Sequence, residues 1–251
     1  MDRLVYTALN SLQLLQQAQS VTATNLSNVG TTGFRKDTSA AFASVYAERD
    51  QKLEPRAWAS VGESAFNDMP GELINTNDPM NIAVNGIGYM LVEPPSGEIA
   101  LSRRGDLRRD LEGFLKSGDG AFILDEGGQR IQIPDYKSIE FGNTGTISIM
   151  PLNAGAEDFE PVLVGRIGLM DTTDVLLRKG TDAFIRPRDG SAPQASGNMS
   201  IKQNFIERSN VNPTDELIAS IELARLFEVN VRMLKTAERL DQAGAGLLRI
   251  D

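Results

Sequence analysis

A chain of 251 residues has room for one or two modest domains with a real core. It contains neither cysteine nor histidine, which excludes disulfides, thiolate metal sites and the commonest general base, and leaves a carboxylate pair as the main enzymatic alternative. The net charge of −9 comes chiefly from the middle of the chain, since residues 1–36 are net positive and residues 201–251 are nearly balanced. Such an acidic middle suits a solvated surface and opposes the phosphates of nucleic acid.

The first element predicted is a helix over residues 2–29. Met1, Val5, Ala8, Leu12, Leu15, Leu26 and Val29 form an apolar or small stripe, with Gln19 and Thr22 as its polar positions. This spacing of three and four presents one narrow face to a partner. Asn28 and Gly30 then act as stop signals, because both tolerate the left-handed backbone of a helix C-terminus. Leu12-Gln13-Leu14-Leu15 is too short and polar for the core of a secretory signal. No apolar run approaches the roughly 18 residues of a membrane span. Between residues 37 and 70 two readings stand: Ala40–Tyr46 continues a helix or forms an extended arm, and Ala57–Val61 alternates like a strand.

From residue 71 to about 195 the pattern changes to short strands and turns. Leu91-Val92 and Ile99–Leu101 flank the turn Pro94–Gly97, and Ile139–Phe141 and Thr146–Ile149 flank Gly142–Gly145. Val162–Leu169 reads as one longer strand, with Gly165 and Gly168 as bulge positions. Asp119–Asp125 lacks the alternating ligands and final glutamate of a calcium loop. Gly86-Ile87-Gly88 lacks the lysine and the strand–loop–helix setting of a phosphate loop. Arg103, Arg104, Arg108 and Arg109, interleaved with Asp106, Asp110 and Glu112, read as a solvated strand pair or a subunit contact. No catalytic, metal-ligating or cofactor-binding residue is expected.

The last predicted element is a helix from Asn212, its cap, to about Leu248. Pro213 suits the first turn, and Asp215 and Glu216 complement its positive end. At 1.5 Å per residue it is about 54 Å long. Leu226, Val229, Met233, Thr236, Leu240, Ala243, Leu247 and Ile250 alternate in steps of three and four, which predicts a coiled-coil seam. Leu9, Leu14, Leu223, Phe227 and Leu234 fall off the seams and would leave apolar surface for neighbours. A repeated contact that does not close on itself produces a helical filament.

Three ordered motifs carry a family resemblance. Ala23, Asn25, Leu26 and Asn28, followed by Thr31 or Thr32, Gly33, Phe34 and Arg35, resemble the N-terminal box of bacterial flagellar axial proteins. Gly71–Asn81 leading into Val84–Tyr89, and Glu207–Pro213 preceding Ala224–Glu228, are similar to the rod subgroup. The opening Met1–Ala8 is most similar to the proximal-rod members. Ser27 and Arg35 stand where alanine and lysine are usual.

The resemblance implies an α+β chain whose terminal helices form a coiled-coil core domain around a β-rich middle. The expected divisions are 1–36 (N-terminal helix), 37–70 (arm), 71–205 (β-rich domain) and 206–251 (C-terminal helix). It implies a structural subunit of the proximal rod, exported through the flagellar type III apparatus without a cleaved signal. The partners implied are other rod proteins and further copies of the chain. The expected assembly interface comprises Leu12, Leu15, Asn25, Leu26, Asn28, Gly33 and Phe34 at one end. At the other it comprises Asn210, Asn212, Phe227, Val229, Met233, Leu240 and Leu247. A soluble binding module and a carboxylate-based enzyme are the rival classes.

Overall fold

The computed structural model describes residues 2–38, 43–46, 57–60, 65–152, 160–196 and 199–247. Met1, Ile250 and parts of the stretches Ala40–Tyr46 and Ala57–Val61 lie outside them. The chain forms two units: a helical one from stretches 1–27, 37–65 and 211–251, and a β unit from 28–36 and 66–210.

In the helical unit, helix α1 spans Asp2–Ser27 and helix α2 spans Pro213–Leu247. The start of α2 follows from its cap, for the Asn212 side-chain oxygen accepts from the Thr214 amide at 3.0 Å. The helices pack on one another, and a hairpin of Ala43–Tyr46 against Ala57–Ser60 belongs to the same unit. On α1 the buried positions are Ala8, Leu14, Leu15, Ala18, Thr22 and Asn25, again spaced by three and four beyond Leu15.

The expected fold class requires correction. Strands dominate the described residues outside the two helices, and those helices do not form a coiled-coil core. The seam expected along α2 is open: Leu226, Val229 and Met233 are 50%, 51% and 49% exposed. The less exposed positions of α2 are instead Glu216, Ala219, Leu223, Asn230, Val231, Leu234 and Ala237. That face also repeats at three and four, but it is small, polar or mixed, and it lies to one side of the apolar seam. A knobs-into-holes seam needs large apolar residues throughout its contact positions, and here Glu216, Asn230 and two alanines interrupt it.

The β unit is antiparallel throughout its described pairings and is built around the strand Gly88–Glu93. Ala100–Ser102 pairs along one edge; Leu169–Asp171 and Phe122–Ile123 share the other. Met90 and Val92 enter a large apolar cluster with Ile123, Ile133, Ile147 and Ile149, while Tyr89 and Leu91 enter a second with Leu101, Leu124 and Ile185. Burial on both faces explains why this strand reads as an apolar run without alternation. Pro94–Gly97 makes the expected turn, closed by the Gly97 amide on the Pro94 carbonyl at 2.9 Å.

One strand is shorter than its sequence suggests. Val162–Arg166 pairs with Thr146–Pro151, with a register shift beside Gly165, but Leu169–Asp171 belongs to another sheet. The break falls at Gly168, where a Cβ would lie 2.5 Å from the Asp125 carbonyl oxygen. Two short strands close the unit near its C-terminal end. Ser200–Gln203 pairs with Ile82–Asn85, and Phe205–Glu207 pairs with Leu73–Asn75.

Candidate assembly interface

The residues singled out in the sequence fall into three places. The first is the inner face of the helical unit. Asn25 is buried and reads the backbone of Asp37 as a neighbouring strand would: its amide donates to the Asp37 carbonyl and its oxygen accepts from the Asp37 amide, both at 2.8 Å. The same amide lies 3.4 Å from Glu216 in the first turn of α2. Leu15 is buried, and Leu12 and Leu26 are half-buried.

The second place is a polar junction inside the β unit. Asn28 opens it, accepting from the Thr31 hydroxyl at 3.0 Å in the turn that follows α1. Gly33 has φ of +68°, and a Cβ there would lie 2.4 Å from the Arg103 carbonyl carbon, so both the conformation and the close approach require glycine. Its amide donates to the Glu207 carbonyl at 2.7 Å. Phe34 is buried, with the Lys179 ammonium 3.8 Å over its ring. Asn210 gathers the surrounding backbone: its oxygen accepts from Lys36 at 2.7 Å, and its amide donates to the carbonyls of Asn67 and Met69 at 2.9 and 2.8 Å.

At the centre of the junction lies Glu207, with no exposed surface. One carboxylate oxygen accepts from Arg35 and from the Gly71 amide; the other accepts from Arg103 at 2.7 Å. Arg103 also donates to the carbonyls of Gly88 and Gly86. The Tyr89 ring lies beneath both guanidinium groups, 5.3 Å from Arg103 and 6.0 Å from Arg35, and its hydroxyl donates to Asp68. Burial opposes the charge on Arg35, but Glu207 and Tyr89 together more than offset it and hold the group above its ordinary pKa. Burial pushes the Tyr89 phenol well above its usual range. Two guanidinium groups and two carboxylates, Glu207 and Asp68, thus balance in charge. This is a structural network: Glu207 is committed to Arg35, Arg103 and the Gly71 amide, and Asp68 to the Tyr89 hydroxyl.

The third place is the outward side of α2. Leu217, Ile218, Ile221, Leu226, Val229 and Met233 are each about half exposed, and Phe227 is 37% exposed. Asn212 is exposed at the helix start, and Leu240 and Leu247 lie within α2 nearer its end. Among the described residues no helix is long and apolar enough to cross a membrane.

Three segments match known families. Residues 5–35 match "Flagella basal body rod protein", residues 83–149 match "Flagellar hook protein FlgE/F/G D1 domain", and residues 202–247 match "Flagellar basal body rod FlgEFG protein C-terminal". The chain is 29% identical over 248 residues to the flagellar basal-body rod protein FlgF of Caulobacter vibrioides, covering 97% of this chain and 96% of that one. It is 28% identical to FlgF of Escherichia coli with the same coverage. It is 26% identical over 272 residues to the rod protein FlgG of Bacillus subtilis, covering 99% and 100%. The chain belongs to the flagellar basal-body rod protein family. This rod protein is a structural component of the basal body and not an enzyme.

Each matched segment of the rod protein supplies one charge to the junction: Arg35, Arg103 and Glu207. Sequence reasoning missed this network. It took Arg103 as part of a solvated strand pair or a subunit contact, whereas Arg103 is buried within the β unit; Arg104 pairs with Asp106 and Arg109 with Asp135. Strand alternation held the available signal, since Leu101, Arg103, Gly105 and Leu107 are buried while Ser102, Arg104 and Asp106 between them are half-buried. The motif Glu207–Asn210 also placed an acid where the box at Gly33–Arg35 supplies a base.

Proposed function

We propose that this rod protein occupies the proximal part of the rod and polymerises there, with other rod proteins and copies of itself, through its terminal helices. The assembled rod crosses the periplasm and transmits torque, and the subunit reaches it through the flagellar export apparatus without a cleaved signal. The observation that carries the assembly reading is the apolar side of α2, where six large apolar residues are half exposed along four turns. A soluble chain gains little from such a face alone, and burying one large apolar side chain contributes about 1.5–3 kcal/mol. The likeness to FlgF over nearly the whole chain supports the proximal position.

Met233→Asp tests the reading. The side chain is half exposed in the free chain, so thermal unfolding should be nearly unchanged, while rods lack the variant and cells lose motility. Normal incorporation and swimming would overturn assembly through this face.

A further inference from the structure

Residues 28–36 follow α1 and lie across the β unit, and their fastening is mostly polar. Neither apolar cluster of that unit includes any of them, and Phe34 is their one buried apolar side chain. The attachments include the Gly33 amide on Glu207, the Asn210 amide on the Phe34 carbonyl, the Lys36 amide on Asn210, the Asn67 amide on the Lys36 carbonyl, and the Lys179 ammonium on the Arg35 carbonyl. To these the Arg35–Glu207 ion pair is added. We propose that residues 28–36 form a releasable strap, docked through Arg35 on Glu207 and able to open while the β unit stays folded.

The charges permit this opening. When the strap leaves, Arg35 passes into water, and Glu207 keeps Arg103 on one oxygen and the Gly71 amide on the other. No buried charge is orphaned, which is the usual obstacle to breaking a buried pair. The docked state is also incompletely satisfied. Arg35 Nε and Nη2 meet no acceptor in good hydrogen-bond geometry among the described residues; Tyr89 and Asp68, the latter 3.8 Å from Nε, are what face the group. A half-satisfied buried guanidinium reduces the net gain from docking. Local openings draw on segments with few apolar contacts, and this strap is such a segment. Released, it becomes slack chain between α1 and the β unit, letting a subunit accommodate differently placed neighbours. That use rests on the assembly reading; the opening itself does not.

Amide hydrogen exchange on the full chain tests the strap. The Gly33 and Lys36 amides should exchange at least tenfold faster than those of Leu115 and Leu124, with rates insensitive to low urea. Arg35→Met should accelerate Gly33 and Lys36 by a further tenfold or more and leave Gly71, Leu115 and Leu124 unchanged. Arg35→Lys, which keeps the charge, should fall between. Exchange of Gly33 and Lys36 only together with Leu115, in one urea-sensitive step, would overturn the proposal. So would an Arg35→Met variant that leaves Gly33 unaffected, or one that loses protection at Leu115 as well.

Discussion

Glu207 receives an arginine from the segment after α1, an arginine from the strand region after Ser102, and a backbone amide from Gly71. These donors are far apart in sequence, so one carboxylate fixes three stretches at once. Removing it leaves Arg103 buried without its anion, whereas exchanging the whole set for apolar groups removes the desolvation cost too. Glu207→Ala should therefore lose about 3–5 kcal/mol in urea unfolding. The triple variant Arg35→Met, Arg103→Met, Glu207→Leu should recover most of that loss. A single variant as stable as the parent would mean that the network contributes nothing. Sequence made parts of this region legible. Gly33 belongs to the box that the family resemblance singled out, and it has positive φ. Arg103 was missed because charged residues are mostly exposed, and strand alternation is the one local sign of the rare one that a distant carboxylate allows to be buried.

At the scale of elements, the ends of the helices were readable because caps and stop signals are local. Asn212 and Pro213 begin α2 as expected, and Asn28 and Gly30 stand just after α1. The contacting face was not readable. Both the stripe through Ala219, Leu223 and Leu234 and the stripe through Leu226, Val229 and Met233 repeat at three and four, so period alone could not choose between them. The strand Val162–Leu169 was misjudged for a related reason: apolar continuity cannot show that the chain changes sheets at Gly168. Gly88–Glu93 is the opposite case, a strand whose unbroken apolar run reports burial on both faces. Its Leu91 is nearly inaccessible, between Leu101 and Leu124. Leu91→Ala should cost about 2–5 kcal/mol, seen as a lower urea midpoint for the β unit, and a loss below 1 kcal/mol would contradict the packing described.

For the whole molecule, the absence of histidine and cysteine argued against metal and thiol chemistry, and the likeness to structural rod proteins agrees with a role in assembly. The two units divide that role: one holds its chain segments together around Glu207, and the other carries a helix with apolar residues left facing outward. The absence of cysteine also provides the most direct test, because a single introduced thiol is unique in the chain. In Val229→Cys the thiol replaces a side chain that is 51% exposed in the free subunit. Labelling with a maleimide should be rapid in the purified monomer and at least tenfold slower in isolated basal bodies, where a neighbour covers α2. Equal labelling in the monomer and in basal bodies that contain the variant would contradict assembly through this helix.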